Sequence, residues 1–100
     1  MAKFELTKKA VEGLADIWNY IYENWSEHQA DNYYQLLIES FKEIAGNPGI
    51  GKNYGGIVES LRGFKVGRHI VFFWAMEGRK VEIIRILHEL MDLKNRIIEK

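Results

Sequence analysis

The sequence predicts an α+β fold in the order β-α-α-β-β-β-(α), with an N-terminal αα-hairpin packed on a small, mainly antiparallel sheet. Three observations carry that reading. Apolar residues recur at helical spacing twice in the first half of the chain, over 11–25 and 30–44. The second half changes to runs rich in β-branched and aromatic residues, which suit strands. Between the two regimes, residues 46–57 hold five glycines and no acid, the composition of a loop.

Each element has its own local signal. Phe4 and Leu6 alternate with polar neighbours, as in a short strand, and Thr7 is a good helix N-cap. Val11, Leu14, Trp18, Ile21 and Trp25 then recur at spacings of three and four, the apolar stripe of a first helix. Ser26-Glu27-His28-Gln29 reads as a capping box, so a second helix starts almost without a loop. Ala30, Tyr33, Leu37, Phe41 and Ile44 supply its buried face. Gly46 suits a left-handed helix terminus and Pro48 stops continuation. So tight a junction folds the helices back on each other.

Three strand-like runs follow: Val58 to Lys65, His69 to Met76 and Lys80 to Leu87. The connectors Val66-Gly67 and Glu77-Gly78-Arg79 are short enough for antiparallel hairpins. The middle run is almost continuously apolar, which places it at the centre of the sheet, covered on both faces. The tail from Glu89 to Lys100, with Leu90, Leu93 and Ile97, reads as a short helix.

A chain of 100 residues sets one domain, 1–100, with one core. There is no cysteine, which excludes disulfides and thiolate metal sites. The N-terminus lacks the layout of a signal peptide, and no apolar run nears the roughly 20 residues that span a bilayer. A soluble cytoplasmic protein is expected. Formal charge is zero but uneven: four basic residues face eight acidic ones through Gly46, and ten face six beyond it.

Two motifs are decoys. Gly46-Asn47-Pro48-Gly49-Ile50-Gly51-Lys52-Asn53 nearly matches a phosphate-binding loop, but a helix precedes it and Asn53 replaces the hydroxyl that would hold magnesium. His88-Glu89-Leu90-Met91-Asp92 starts like a zinc-protease motif, yet Asp92 stands where the second histidine belongs. No cofactor or metal is expected. A polar set along the strands remains: Arg62, Lys65, Arg68, His69, Arg85 and His88. Arginine and lysine can bind phosphate and histidine can move protons near neutral pH. Paired with Glu59, Glu82 or Asp92, the same residues would be ordinary surface charges. The aromatic set Trp18, Tyr22, Trp25, Tyr33, Tyr34, Phe72, Phe73 and Trp74 suits a core at these spacings. A three-layer core is not expected at this length, so part of the set is left for a partner on an apolar sheet face.

The pattern Leu6-Thr7-x-x-Ala10-x-x-x-Leu14-x-x-Ile17-Trp18-x-Tyr20 resembles the opening of the RelE/ParE toxin superfamily. Gln29-Ala30-x-x-Tyr33 fits the start of that superfamily's second helix, and Pro48-Gly49 fits the loop after it. Leu61-Arg62, Val66-Gly67-Arg68-His69-Ile70-Val71-Phe72-Phe73 and Ile83-Ile84-Arg85-Ile86-Leu87-His88-Glu89-Leu90-Met91-Asp92 resemble the ParE branch. The resemblance spans nearly the whole chain, and the last block is its most specific part. It implies the RelE/ParE-like fold and the toxin half of a type II toxin–antitoxin pair. It further implies inhibition of DNA gyrase and neutralisation by a ParD-like antitoxin, with no direct nucleic-acid contact. Under it, Trp18, Tyr22, Trp25, Phe72 and Trp74 are the antitoxin-binding candidates, and Arg62, Lys65, Arg68 and His69 the target-binding candidates. The RelE branch shares the fold but cuts mRNA on the ribosome. That alternative would use Arg68, Arg85 and His88, and the acidic Glu89 and Asp92 beside them would repel an RNA backbone.

Overall fold

The computed structural model describes residues 3–91 and 96–97. A strand β1 (Lys3–Leu6) leads into helices α1 (Lys8–Asn24) and α2 (Glu27–Gly46). After one 3₁₀ turn at Pro48–Ile50 come β2 (Lys52–Asn53), β3 (Arg62–Val66), β4 (His69–Met76) and β5 (Lys80–His88). The strands form one sheet in the order β1-β5-β4-β3-β2. β1 runs parallel to β5, and every other pairing is antiparallel. β4 is the central strand, as its unbroken apolar run requires.

Thr7 ties the entry of α1 to the sheet. Its hydroxyl accepts from the Ala10 amide at 3.1 Å and donates to the Ile84 carbonyl at 2.6 Å. Its own amide donates to Ile83 O at 3.0 Å. Those carbonyls lie at an irregularity in the β4–β5 ladder: Phe72 pairs with Arg85 and Phe73 with Ile83, so Ile84 is an extra residue without a partner. Replacing Thr7 with valine keeps the shape but removes both side-chain bonds. The expected loss is about 1–2 kcal/mol, read by urea unfolding. An unchanged midpoint would show that the hydroxyl is dispensable.

The main core lies between the hairpin and one sheet face. Leu37, Phe41 and Ile44 of α2 meet Val71, Phe73, Val81 and Ile83, all fully or almost fully buried. Burial of side chains this large contributes about 1.5–3 kcal/mol each. The stripe of α1 keeps Leu14 and the half-buried Ile21, but Ala10 and Ile17 take the places expected for Val11 and Trp18. Ala10 and Leu14 are buried and Ile17 packs against the core, whereas Val11 and Trp25 are 53% and 61% exposed. The reason is Gly13. A Cβ there would stand 3.3 Å from the Ile86 carbonyl, so α1 rests its small-residue side directly on β5.

Other expectations need correction. Ser26 does cap α2, accepting from the Gln29 amide at 3.1 Å, but no return bond from the Gln29 side chain is found among the described residues. Gly46 is not a left-handed terminus: it is the last residue of α2, and Asn47 is the C-cap. Residues 58–61 are not part of β3. They form turns, with Ser60 at φ 67°, and β3 starts only at Arg62. Their apolar residues have another job. Leu61 and Val58, with Tyr54 and Ile97, cover the second sheet face over Ile70, Phe72 and Leu87. The expected open face is therefore closed by a third, irregular layer. Most of the tail predicted as a helix, 89–100, lies outside the described residues; Arg96 and Ile97 are helical.

Candidate functional site at the end of the sheet

β3 and β4 are joined by the two residues Gly67 and Arg68. Gly67 has φ +58°, and a Cβ there would meet the Tyr33 hydroxyl at 2.7 Å, so only glycine fits both demands. Tyr33 of α2 holds the turn. Its hydroxyl donates to Val66 O at 3.0 Å, accepts from the Arg68 amide at 3.2 Å, and lies 2.7 Å from His69 Nδ1. The His69 ring stands edge-on to Tyr33 and to His88, its direct partner across the β4–β5 ladder, with centroids 5.5 and 5.3 Å apart. Past β5 the chain turns back. The Glu89 amide donates to Arg68 O at 2.9 Å and the Leu90 amide to His88 Nδ1 at 3.1 Å.

This corner is the floor of a cleft under the outer half of α1. The larger compartment has a volume of about 720 Å³ and is walled by Ile17, Tyr20, Ile21, Trp25 and Tyr33, with Arg68 at its edge. Tyr20 and Trp25 are mostly exposed and meet edge to face at 5.8 Å. A smaller compartment of about 250 Å³ is bordered by Lys9, Glu12 and Arg85. Asp16, His69, His88 and Met91 line both. An apolar trough with a few convergent polar groups is what a binding site needs.

Burial dominates at His69 and Tyr33, and a charged neighbour at Glu89. His69 is pushed down to about 4, first by desolvation and then by the neighbouring His88, with Glu89 acting the other way. Burial raises Tyr33, the Arg68 amide bond opposes this, and Glu89 adds to the rise. Glu89 is lowered, chiefly by its bond to Lys65 at 2.9 Å. His69 has a consequence for stability. An unfolded histidine titrates near 6.5, so between that value and about 4 the unfolded chain binds a proton that the folded chain refuses. Its contribution is complete above pH 6.5 and is lost as pH falls toward 4. With the ring partly solvated, the expected loss is about 1–2 kcal/mol. Urea unfolding across this range, compared with His69→Asn, isolates it from the carboxylates. Identical pH slopes in the two proteins would refute the assignment.

The sequence candidates divide among several surfaces. Of the antitoxin-binding set, only Trp25 borders the cleft. Trp18 and Tyr22 stack on each other at 5.1 Å, with Trp18 Nε1 donating to Asp31 of α2, beside a separate shallow pocket shared with Tyr34. Phe72 is fully buried and presents no surface to a partner. Trp74 lies on the second sheet face, with Nε1 donating to Glu82 at 2.9 Å. Of the target-binding set, Arg62 is occupied by the Gly51 carbonyl at 2.7 Å and Lys65 by Glu89. Arg68 and His69 do meet at the cleft, and Arg85 and His88 join them there. Sequence reading missed Tyr20, Ile21 and Met91 as cleft residues. Tyr20 and Ile21 follow Ile17 at helical spacing, which was the available signal.

This helical hairpin on a five-stranded mixed sheet is similar in fold to a solved chain from the chromosomal ParDE TA system of P. aeruginosa. The TM-score is 0.73 at 20% identity, covering 88% of this chain and 95% of that one. The two chains therefore share an α+β fold. Sequence narrows this further. A curated protein named Toxin ParE1 from Caulobacter vibrioides is 34% identical over 94 residues, 94% of this chain and 96% of that protein. Toxin ParE of Escherichia coli is 28% identical over 100 residues, covering 100% and 97%. The family model for the ParE toxin of the type II toxin–antitoxin system, parDE, matches residues 4–93, and the chain belongs to that family.

Proposed function

We propose that this ParE-family toxin acts by binding other proteins, with no chemistry of its own: a ParD-like antitoxin occupies the cleft, and the released toxin inhibits DNA gyrase in the cytoplasm. The observation that carries this reading is the cleft, an apolar trough of about 720 Å³ beside exposed Tyr20 and Trp25 on a protein of 100 residues. Surface of that kind is characteristic of protein contacts. Membership in the toxin family supplies the partner, and the relatives' names supply the system. No described helix is long and apolar enough to cross a membrane.

One observation favours a second reading, an mRNA endonuclease. Arg68, Arg85 and His88 border one cleft. Glu89, expected to repel RNA, has its carboxylate neutralised by Lys65 at 2.9 Å. Purified toxin freed of antitoxin distinguishes the readings. The expected result is accumulation of gyrase–DNA cleavage complexes and intact mRNA in a translation extract. RNA cuts abolished by His88→Ala, with no effect on gyrase, would replace the first reading by the second.

A further inference from the structure

The two histidines on the cleft floor carry more information than their side-chain type. The Tyr33 hydroxyl has one proton and three close neighbours. Val66 O, 3.0 Å away, has only lone pairs to offer, so without the Tyr33 proton between them two oxygens would repel. With the proton directed to Val66 O, the 2.7 Å contact to His69 is a bond only when Nδ1 carries the hydrogen and donates to Tyr33. All three contacts are then satisfied, including the Arg68 amide. A neutral His69 protonated at Nδ1 leaves Nε2 as a bare acceptor. His88 is fixed the opposite way. Its Nδ1 accepts from the Leu90 amide, so its hydrogen sits on Nε2, a donor.

Among the described residues neither Nε2 has a hydrogen-bond partner, and neither is a sealed, unsatisfied atom. Both rings line the cleft. The floor of the cleft thus offers one acceptor and one donor from perpendicular rings whose centroids are 5.3 Å apart, with the charged Asp16 and Arg68 also lining the larger compartment. We propose that His69 and His88 form a recognition pair for a carboxamide, an Asn or Gln side chain of the antitoxin segment seated in the cleft. Its NH₂ donates to His69 Nε2 and its oxygen accepts from His88 Nε2–H. A carboxylate can only accept and an ammonium can only donate, so each leaves one ring unsatisfied. A hydroxyl must serve both rings through one oxygen. Carboxamide nitrogen and oxygen are separate atoms and suit two separate positions. Leaving a desolvated donor or acceptor unpaired is the stronger source of discrimination.

This inference rests on the antitoxin reading of the cleft, and the test separates the two. Toxin labelled with ¹⁵N at histidine is examined by long-range ¹H–¹⁵N correlation near pH 7, alone and in complex with the antitoxin encoded beside it. Free toxin is expected to show His69 protonated at Nδ1 and His88 at Nε2. In the complex both tautomers persist and both Nε2 resonances shift. Substituting the responsible antitoxin Asn or Gln with leucine returns those resonances toward their free positions and weakens binding about tenfold. His88→Leu, with folding checked by circular dichroism, weakens binding by a similar factor. An antitoxin that does not bind removes the cleft reading and the pair together. Binding with unmoved Nε2 resonances, opposite tautomers in the free protein, or shifts that no Asn or Gln substitution reverses would overturn the recognition pair alone.

Discussion

Phe73→Ala is expected to lower the melting temperature by about 15–30 °C. Truncating a buried phenylalanine costs about 3–5 kcal/mol, and a domain of this size loses about 4–8 °C per kcal/mol. Phe73 is fully buried in the central strand, in the core between hairpin and sheet. Its ring also reaches the loop before β2: a Cβ at Gly51 would come within 2.7 Å of it. Glycine at 51 and phenylalanine at 73 are therefore fitted to each other, and the cavity left by alanine has few side chains able to collapse into it. Thermal unfolding followed by circular dichroism measures the effect. A drop below about 5 °C would mean that the surrounding core repacks freely, contrary to this geometry.

Trp25→Ala is expected to do the opposite: leave folding nearly unchanged and weaken antitoxin binding about 30-fold or more. The side chain is 61% exposed and rests on Tyr20, so the isolated toxin loses little packing. Tryptophan at the wall of an apolar trough is the kind of anchor whose truncation costs about 2 kcal/mol or more on binding. Competition binding with labelled antitoxin provides the measurement. Trp18→Ala is the matched control, since Trp18 lies on the outer face of the hairpin with Tyr22 and Asp31. Loss of affinity in Trp18→Ala and none in Trp25→Ala would move the docking surface from the cleft to that outer face.

What could be read from the sequence was local. Thr7 and Ser26 bond amides three residues ahead, and a cap of that kind is written in adjacent residues. The buried face of α2 was legible because Ala30, Leu37, Phe41 and Ile44 obey one period against one surface. The failures came from distant partners. Nothing near Gly13 announces that Ile86 O will sit against it, yet this approach turns α1 and leaves Val11 in solvent. Val58 and Leu61 are apolar because they cover Phe72 and its neighbours, and burial without a strand looks like a strand in one dimension. The cleft failed for the same reason in part. Arg68, His69, Arg85 and His88 could be chosen by residue type, but their convergence with Tyr20, Ile21 and Met91 depends on how α1 crosses the end of the sheet.

The unpaired Ile84 gives β5 two alternation phases. Before it, the odd-numbered Val81 and Ile83 face the helices; after it, the even-numbered Ile86 does, and His88 lies opposite His69 on that same side. Held in one regular alternation, the nine residues of β5 would have to choose between filling the core at the start of the strand and furnishing the cleft at its end. Pairing Ile84 into the ladder with every residue kept would turn His88 to the opposite face and bring Leu87 inward, whereas deleting position 84 would leave Val81, Ile83, Ile86 and His88 on one side. The binding floor is thus indexed by counting residues from a single irregularity, and a frame error of one position would erase it more completely than most substitutions within it.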